Sequence, residues 1–188
     1  TYPVTIYIYD GTSVGCEAEE DFLLTINQSC EFITTWQTTV PNEDVTIGVS
    51  GAGLNYNVDW GDGTIETGLT NNTATHNYAT PGIHEVVITG VYPRFRPGVG
   101  AVSAASLPKL RSVEQWGCNP WQSMDQAFSN AVNLVVNAPD TPNLSNVTSM
   151  WQMFDNCETL GTGTGNWNWD TSNVQDMREV FRETDNFN

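Results

Sequence analysis

The chain has 188 residues, 39% of them hydrophobic, with 22 Asp and Glu against 6 Lys and Arg and a formal net charge of −16. That length suits one large domain or two small ones, and no apolar run reaches the roughly 18 residues that a membrane-spanning helix needs. So acidic a chain repels phosphate backbones and anionic lipid, which argues against nucleic acid and direct membrane insertion and leaves cations, proteins or neutral glycans as partners.

The opening "TYPVTIYIYDG" lacks the basic start and small-residue cleavage site of a signal peptide. Within residues 1–32, "VTIYIY" and "DFLLTI" read as strands, with an acidic stretch between them at residues 17–21. We read this as an N-terminal β segment, either a small unit or the tail of a preceding domain. Cys16 and Cys30 are close enough in sequence to form a disulfide in an oxidising compartment. Cys118 and Cys157 either pair or stay as buried thiols. No CxxC or His–Cys cluster suggests zinc.

From residue 33 the pattern is all-β. "VTIGV" (45–49), "LNYNVDW" (54–60), "ATHNY" (74–78) and "HEVVITG" (84–90) are short strands, separated by the turn signals "SGAG", "GDG", "TNN" and "TPG". Such spacing predicts a β-sandwich over 33–92. In "VDWGDGT" followed by "THNYATPGIHEVVITG", Trp60, Gly61, Asp62, Gly63, Thr64, His76, Tyr78, Pro81 and Gly82 stand in the order found in polycystic-kidney-disease (PKD) domains. This stretch resembles that family, which implies a sandwich and a structural role for His76.

The same turn raises a metal question. Asp62–Gly63 is a strong tight-turn dipeptide, and Asp62 can accept from the turn's own N–H groups. Calcium is the one cofactor the sequence suggests, weakly, with Asp59 and Asp62 as ligands and Glu66, Asn71 and Asn72 as further oxygen donors. His76 and His84 fall on different strands, which does not favour a histidine metal pair.

No Lys or Arg precedes Arg94. Arg94, Arg96, Lys109 and Arg111 then fall in an acid-free stretch whose charges either pair with the acidic segments beside it or make a binding patch. We read 93–106 as a basic linker.

The remainder repeats itself. "SMDQAFSNAVNL" (123–134), "SMWQMFDNCETL" (149–160) and "DMREVFRETDNF" (176–187) align Met124, Met150 and Met177, and also Phe128, Phe154 and Phe181. A period of this size signals stacked repeats. Met150, Met153 and Phe154 fall at i, i+3 and i+4, which predicts one face of a short helix, with the three phenylalanines in a buried column. "WDTSNVQDMREVF" (169–181) and "LSNVTSMWQMF" (144–154) resemble BspA-type leucine-rich repeats of bacterial surface proteins, the 26-residue repeats also seen in mycoplasma lipoproteins. The resemblance covers about 107–188 and implies a leucine-rich-repeat-like solenoid of short strands and helices, hence an α+β protein. After "TDNFN" no polar cap is visible, and we expect further repeats in the natural protein.

No GxSxG, HExxH, GxGxxG or P-loop occurs, and no pair among the 22 acids is singled out for glycoside hydrolysis. The resemblances imply a non-catalytic surface or secreted module that binds a protein or glycan. A passive spacer and part of a polysaccharide-acting enzyme are the alternatives. Trp167 and Trp169 alternate in "TGTGNWNWDTSN", so on an extended segment they share one side, as repeat packing or as a stacking platform for a ligand.

Overall fold

The structure, a computed structural model, describes residues 30–98 and 104–187. The strands expected at "VTIYIY" and "DFLLTI", and Cys16, lie outside the described residues. The strands in chain order are β1 (Phe32–Thr38), β2 (Glu43–Ser50), β3 (Asn55–Asp59), β4 (Ile65–Leu69), β5 (Thr73–Tyr78), β6 (Gly82–Val91), β7 (Arg94–Phe95), β8 (Leu110–Gln115) and β9 (Val135–Val136). They form a six-stranded sheet in the order β4-β3-β6-β1-β8-β9 and a three-stranded sheet in the order β5-β2-β7.

Strand β1 sits at the centre because its residues alternate. Phe32, Thr34, Trp36 and Thr38 are buried while Ile33, Thr35 and Gln37 face outward. It pairs antiparallel with β6 from Phe32↔Ile88 to Thr38↔Gly82, and on its other side with β8. Strand β2 is buried from Val45 to Val49. Its apolar Val45, Ile47 and Val49 join the core, while at Gly48 a Cβ would lie 2.6 Å from the Arg96 carbonyl oxygen, too close for any side chain. The apolar faces of both sheets and the interior of the later repeats form one continuous core, running from Trp36, Val45 and Trp60 to Phe128, Val147 and Phe154.

The α+β assignment is overturned. From Leu107 to Phe187, where the repeats were expected, there is no α-helix, only two three-residue 3-10 turns at Leu107–Lys109 and Leu160–Thr162. Nor does the leucine-rich-repeat-like solenoid of short strands and helices form; after β8 the chain runs mostly as turns, with the short strand β9. The cause lies in the backbone. Where a helix was expected at Met150–Phe154, Met153 N–H bonds back only three residues, to Met150. Gln152 then adopts φ 53° and Asn156 φ 56°, in the left-handed region that no helix tolerates. Gln126, Asn130, Glu179 and Glu183 do the same in the neighbouring turns.

The N–H groups freed in this way bond to the next turn. Met124, Gln126, Phe128 and Asn130 donate to the carbonyls of Ser149, Trp151, Met153 and Asp155. Met150, Gln152, Phe154 and Asn156 donate to Asp176, Arg178, Val180 and Arg182. Each turn is thereby satisfied by the one that follows, as buried backbone requires.

The expected Cys16–Cys30 disulfide is also corrected: Cys30 pairs with Cys118, their Cα atoms 4.4 Å apart. The sheet dictates this. Cys30 enters β1 and Cys118 leaves β8, and the two strands are antiparallel neighbours. The bridge ties the start of the first sheet to the start of the repeats across 88 residues of chain.

Candidate functional site

The Asp59–Thr64 corner is closed by its own side chains. Gly61 N–H donates to Asp59 Oδ1 at 2.9 Å, and Thr64 N–H to Asp62 Oδ1 at 3.0 Å. Gly61 holds φ 77°, and a Cβ there would lie 2.3 Å from the Glu85 carbonyl oxygen, so only glycine fits. The second Asp62 oxygen meets His76 Nε2 at 2.7 Å. The His76 interaction, with the N–H of Thr64, holds the Asp62 carboxyl down at about 2. His76 lies flat on Trp60, centroids 5.2 Å apart, and His84 lies on Tyr78 at 3.6 Å. The Tyr78 hydroxyl donates to the Trp60 carbonyl at 2.7 Å.

The two calcium candidates therefore stand at one corner but spend oxygens within it, and Glu66 accepts from the Trp60 indole N–H at 2.8 Å. Among the described residues no group of three or more His, Cys, Asp or Glu is gathered for a metal.

The second candidate lies in the repeats. Phe128 stacks on Phe154 with centroids 5.4 Å apart, and Phe154 on Phe181 at 5.9 Å. The first two are buried; Phe181 is 39% exposed, so the column is buried at one end and open at the other. Trp167 and Trp169 do share one side, stacked on each other at 5.0 Å. That side faces the column, where both rings touch Phe154 and Trp169 meets Trp116 edge-on. Both tryptophans are half-buried against the core. The outward positions between and around them, Thr162, Thr164, Asn166, Asn168 and Asp170, are exposed and polar.

Along the flank of the turns runs a polar ladder that sequence reasoning missed. Arg96 donates to the Gln126 amide oxygen, Gln126 to Gln152, and Gln152 to Glu179. Beside it Asn156 donates to Asn130, and Arg182 grips the buried Asp155 carboxylate with two bonds of 2.8 and 2.9 Å. The signal was available: M-x-Q-x-F-x-N at 124–130 recurs at 150–156. Basic residues of the acid-free stretch are taken up locally. Lys109 meets Glu43 at 3.0 Å, and Arg94 lies 3.9 Å from Asp125. Cys157 is a free buried thiol, pushed up to about 12 by burial, and donates to the Phe128 carbonyl.

Residues 104–188 match a family described as "Mycoplasma protein of unknown function, DUF285". No curated protein and no solved structure matches the chain. No described helix is long and apolar enough to cross a membrane.

Proposed function

We propose that this chain is a non-catalytic, extracellular binding module of a bacterial surface protein, taking a protein or glycan on the outward face of its stacked turns. One observation carries the reading. The residues that recur between turns, Met124/Met150 and Phe128/Phe154, are all buried, while the outward strip Thr162, Thr164, Asn166 and Asn168 makes no contribution to that core. A surface built this way can change outer residues such as Thr164 and Asn168 without disturbing that apolar core, as an adaptable recognition face requires. The family match supports a surface repeat protein, and the Cys30–Cys118 bridge supports an oxidising location. The corner of Trp60, Asp62, His76 and Tyr78 supports the reading of the first half as PKD-like, because residues that the resemblance picked out in sequence meet in space.

Trp167 and Trp169 enter this reading as the support beneath the strip, since their rings turn inward. The test is a glycan array and a pull-down from extracellular matrix with the intact chain, because β8 and the disulfide join the two halves. Retention that a Thr164→Arg/Asn168→Arg double variant abolishes supports the strip. Retention unchanged by that variant, or sustained turnover of a polysaccharide by the purified chain, overturns the reading.

A further inference from the structure

Lys109 and Arg94 face Glu43 and Asp125, and Arg178 and Arg182 hold Asp176 and Asp155. Arg96 is held differently. Among the described residues it meets no carboxylate, and its guanidinium gives one N–H to the neutral Gln126 oxygen at 2.6 Å. The backbone fixes both partners: Arg96 N–H donates to the Gly48 carbonyl at 2.8 Å, and Gln126 turns through φ 54°. The amide therefore orients the guanidinium without neutralising it, and takes one of a fork of N–H donors. A cavity of about 270 Å³ opens at this point. Its described lining includes Arg96, Leu107, Pro108, Gln126, Ser129 and Asn130, and no Asp or Glu. Residues 94–111 contain no acid either, in a chain that has 22. Acceptors on the wall are engaged already: the Asn130 oxygen takes an N–H from Asn156, and the Ser129 hydroxyl takes one from Asn130. Leu107 and Pro108, in the first 3-10 turn, supply an apolar side.

We propose that this cavity binds a small monocarboxylate, with the carboxylate on the Arg96 guanidinium and the body of the ligand against Leu107 and Pro108. A planar carboxylate is the group that matches the guanidinium fork, and such charge-assisted bonds are about twice as strong as neutral ones. A single charge is required, because a chain of net charge −16 repels a polyanion. Small-molecule sites run from about 300 to 1,000 Å³, so this cavity suits a body the size of one sugar or one acylated amino acid. A uronic acid and an N-acyl amino acid share that chemistry. The cavity shares no lining residue with the outward strip, so it stands or falls independently of the function proposed above.

The test titrates the intact, isotope-labelled chain with sodium glucuronate against glucose, and with N-acetylalanine against its primary amide. NMR follows the side-chain amides of Gln126 and Asn130 and the backbone amide of Ser129. At least one of the two acids should shift these signals saturably, with a dissociation constant on the order of 1 mM, while its neutral partner leaves them in place. Which acid binds identifies the source of the carboxylate. Arg96→Gln, checked for an otherwise unchanged spectrum, should weaken binding about tenfold or more. Arg94→Gln, which removes a charge that faces Asp125, should leave it intact. The comparison of acid with neutral partner needs no variant. No saturable shift from either acid at about 50 mM, equal shifts from acid and neutral partner, binding that Arg96→Gln retains, or equal loss in Arg94→Gln overturns the proposal.

Discussion

Phe128 and Phe154, 26 positions apart, lie ring on ring with planes 9° from parallel. This single contact connects the sequence period to the fold, since the ring of each turn is the floor for the next. Phe154 is fully buried between Phe128 and Phe181. Phe154→Ala should therefore cost about 3–5 kcal/mol, and Phe181→Ala, at the open end, clearly less. Urea unfolding of the two variants compares them; equal losses would mean that Phe181 is as enclosed as Phe154.

The left-handed residues give a second prediction. Gln152 sits at φ 53°, where glycine is at ease and a β-branched residue is strained. Gln152→Val should lose about 1–3 kcal/mol. Gln152→Gly should stay within about 1 kcal/mol of the parent, because the loss of its part-buried bond from Gln126 and its exposed bond to Glu179 is offset by relief of the backbone. Chemical denaturation midpoints read the order; a valine variant as stable as the glycine variant would contradict the backbone geometry.

These same residues show what could and could not be read from the sequence. β2, β3, β5 and β6 were legible because their alternation is bounded by glycine-rich turns, and the repeat was legible because Met and Phe return in order. The helices were misread because i, i+3, i+4 spacing is met equally by a turn that bonds only to i−3 and then reverses through a left-handed residue. Nothing in the letters Gln or Glu announces positive φ, unlike Gly or Asn. The side shared by Trp167 and Trp169 followed from alternation, but which way that side faces depends on where Phe154 lies, a tertiary fact. The disulfide was misassigned for a related reason. Nearness in sequence favoured Cys16, whereas β1–β8 pairing places Cys118 beside Cys30.

The Cys30–Cys118 bridge closes a long loop, so reduction should cost roughly 2–5 kcal/mol. Cys118→Ser should lower the thermal midpoint to that of the reduced parent, while Cys157→Ser should leave a disulfide in place. Peptide mapping of the unreduced protein checks the pairing directly: a Cys30 peptide linked to Cys118 is expected, and one linked to Cys16 would refute it.

The last prediction concerns acid. Asp62 is held at about 2 by His76 and the Thr64 N–H, against an ordinary value of 3.8. A carboxyl with a depressed folded value binds its proton more readily in the unfolded chain, so acidification favours unfolding. Its contribution is therefore complete above about pH 4 and disappears as pH falls toward 2. Asp62→Asn removes the titration and should be less stable than the parent at pH 5–7. The two stability curves should converge between pH 4 and pH 2. His76→Ala should raise the Asp62 value toward the ordinary one and move the convergence to higher pH, which an Asp62 carboxyl titration by NMR would show directly. If Asp62 titrated near 4 in the parent chain, the His76 contact would not be a working interaction, and the corner would rest on the Thr64 N–H, Gly61 and Tyr78 alone.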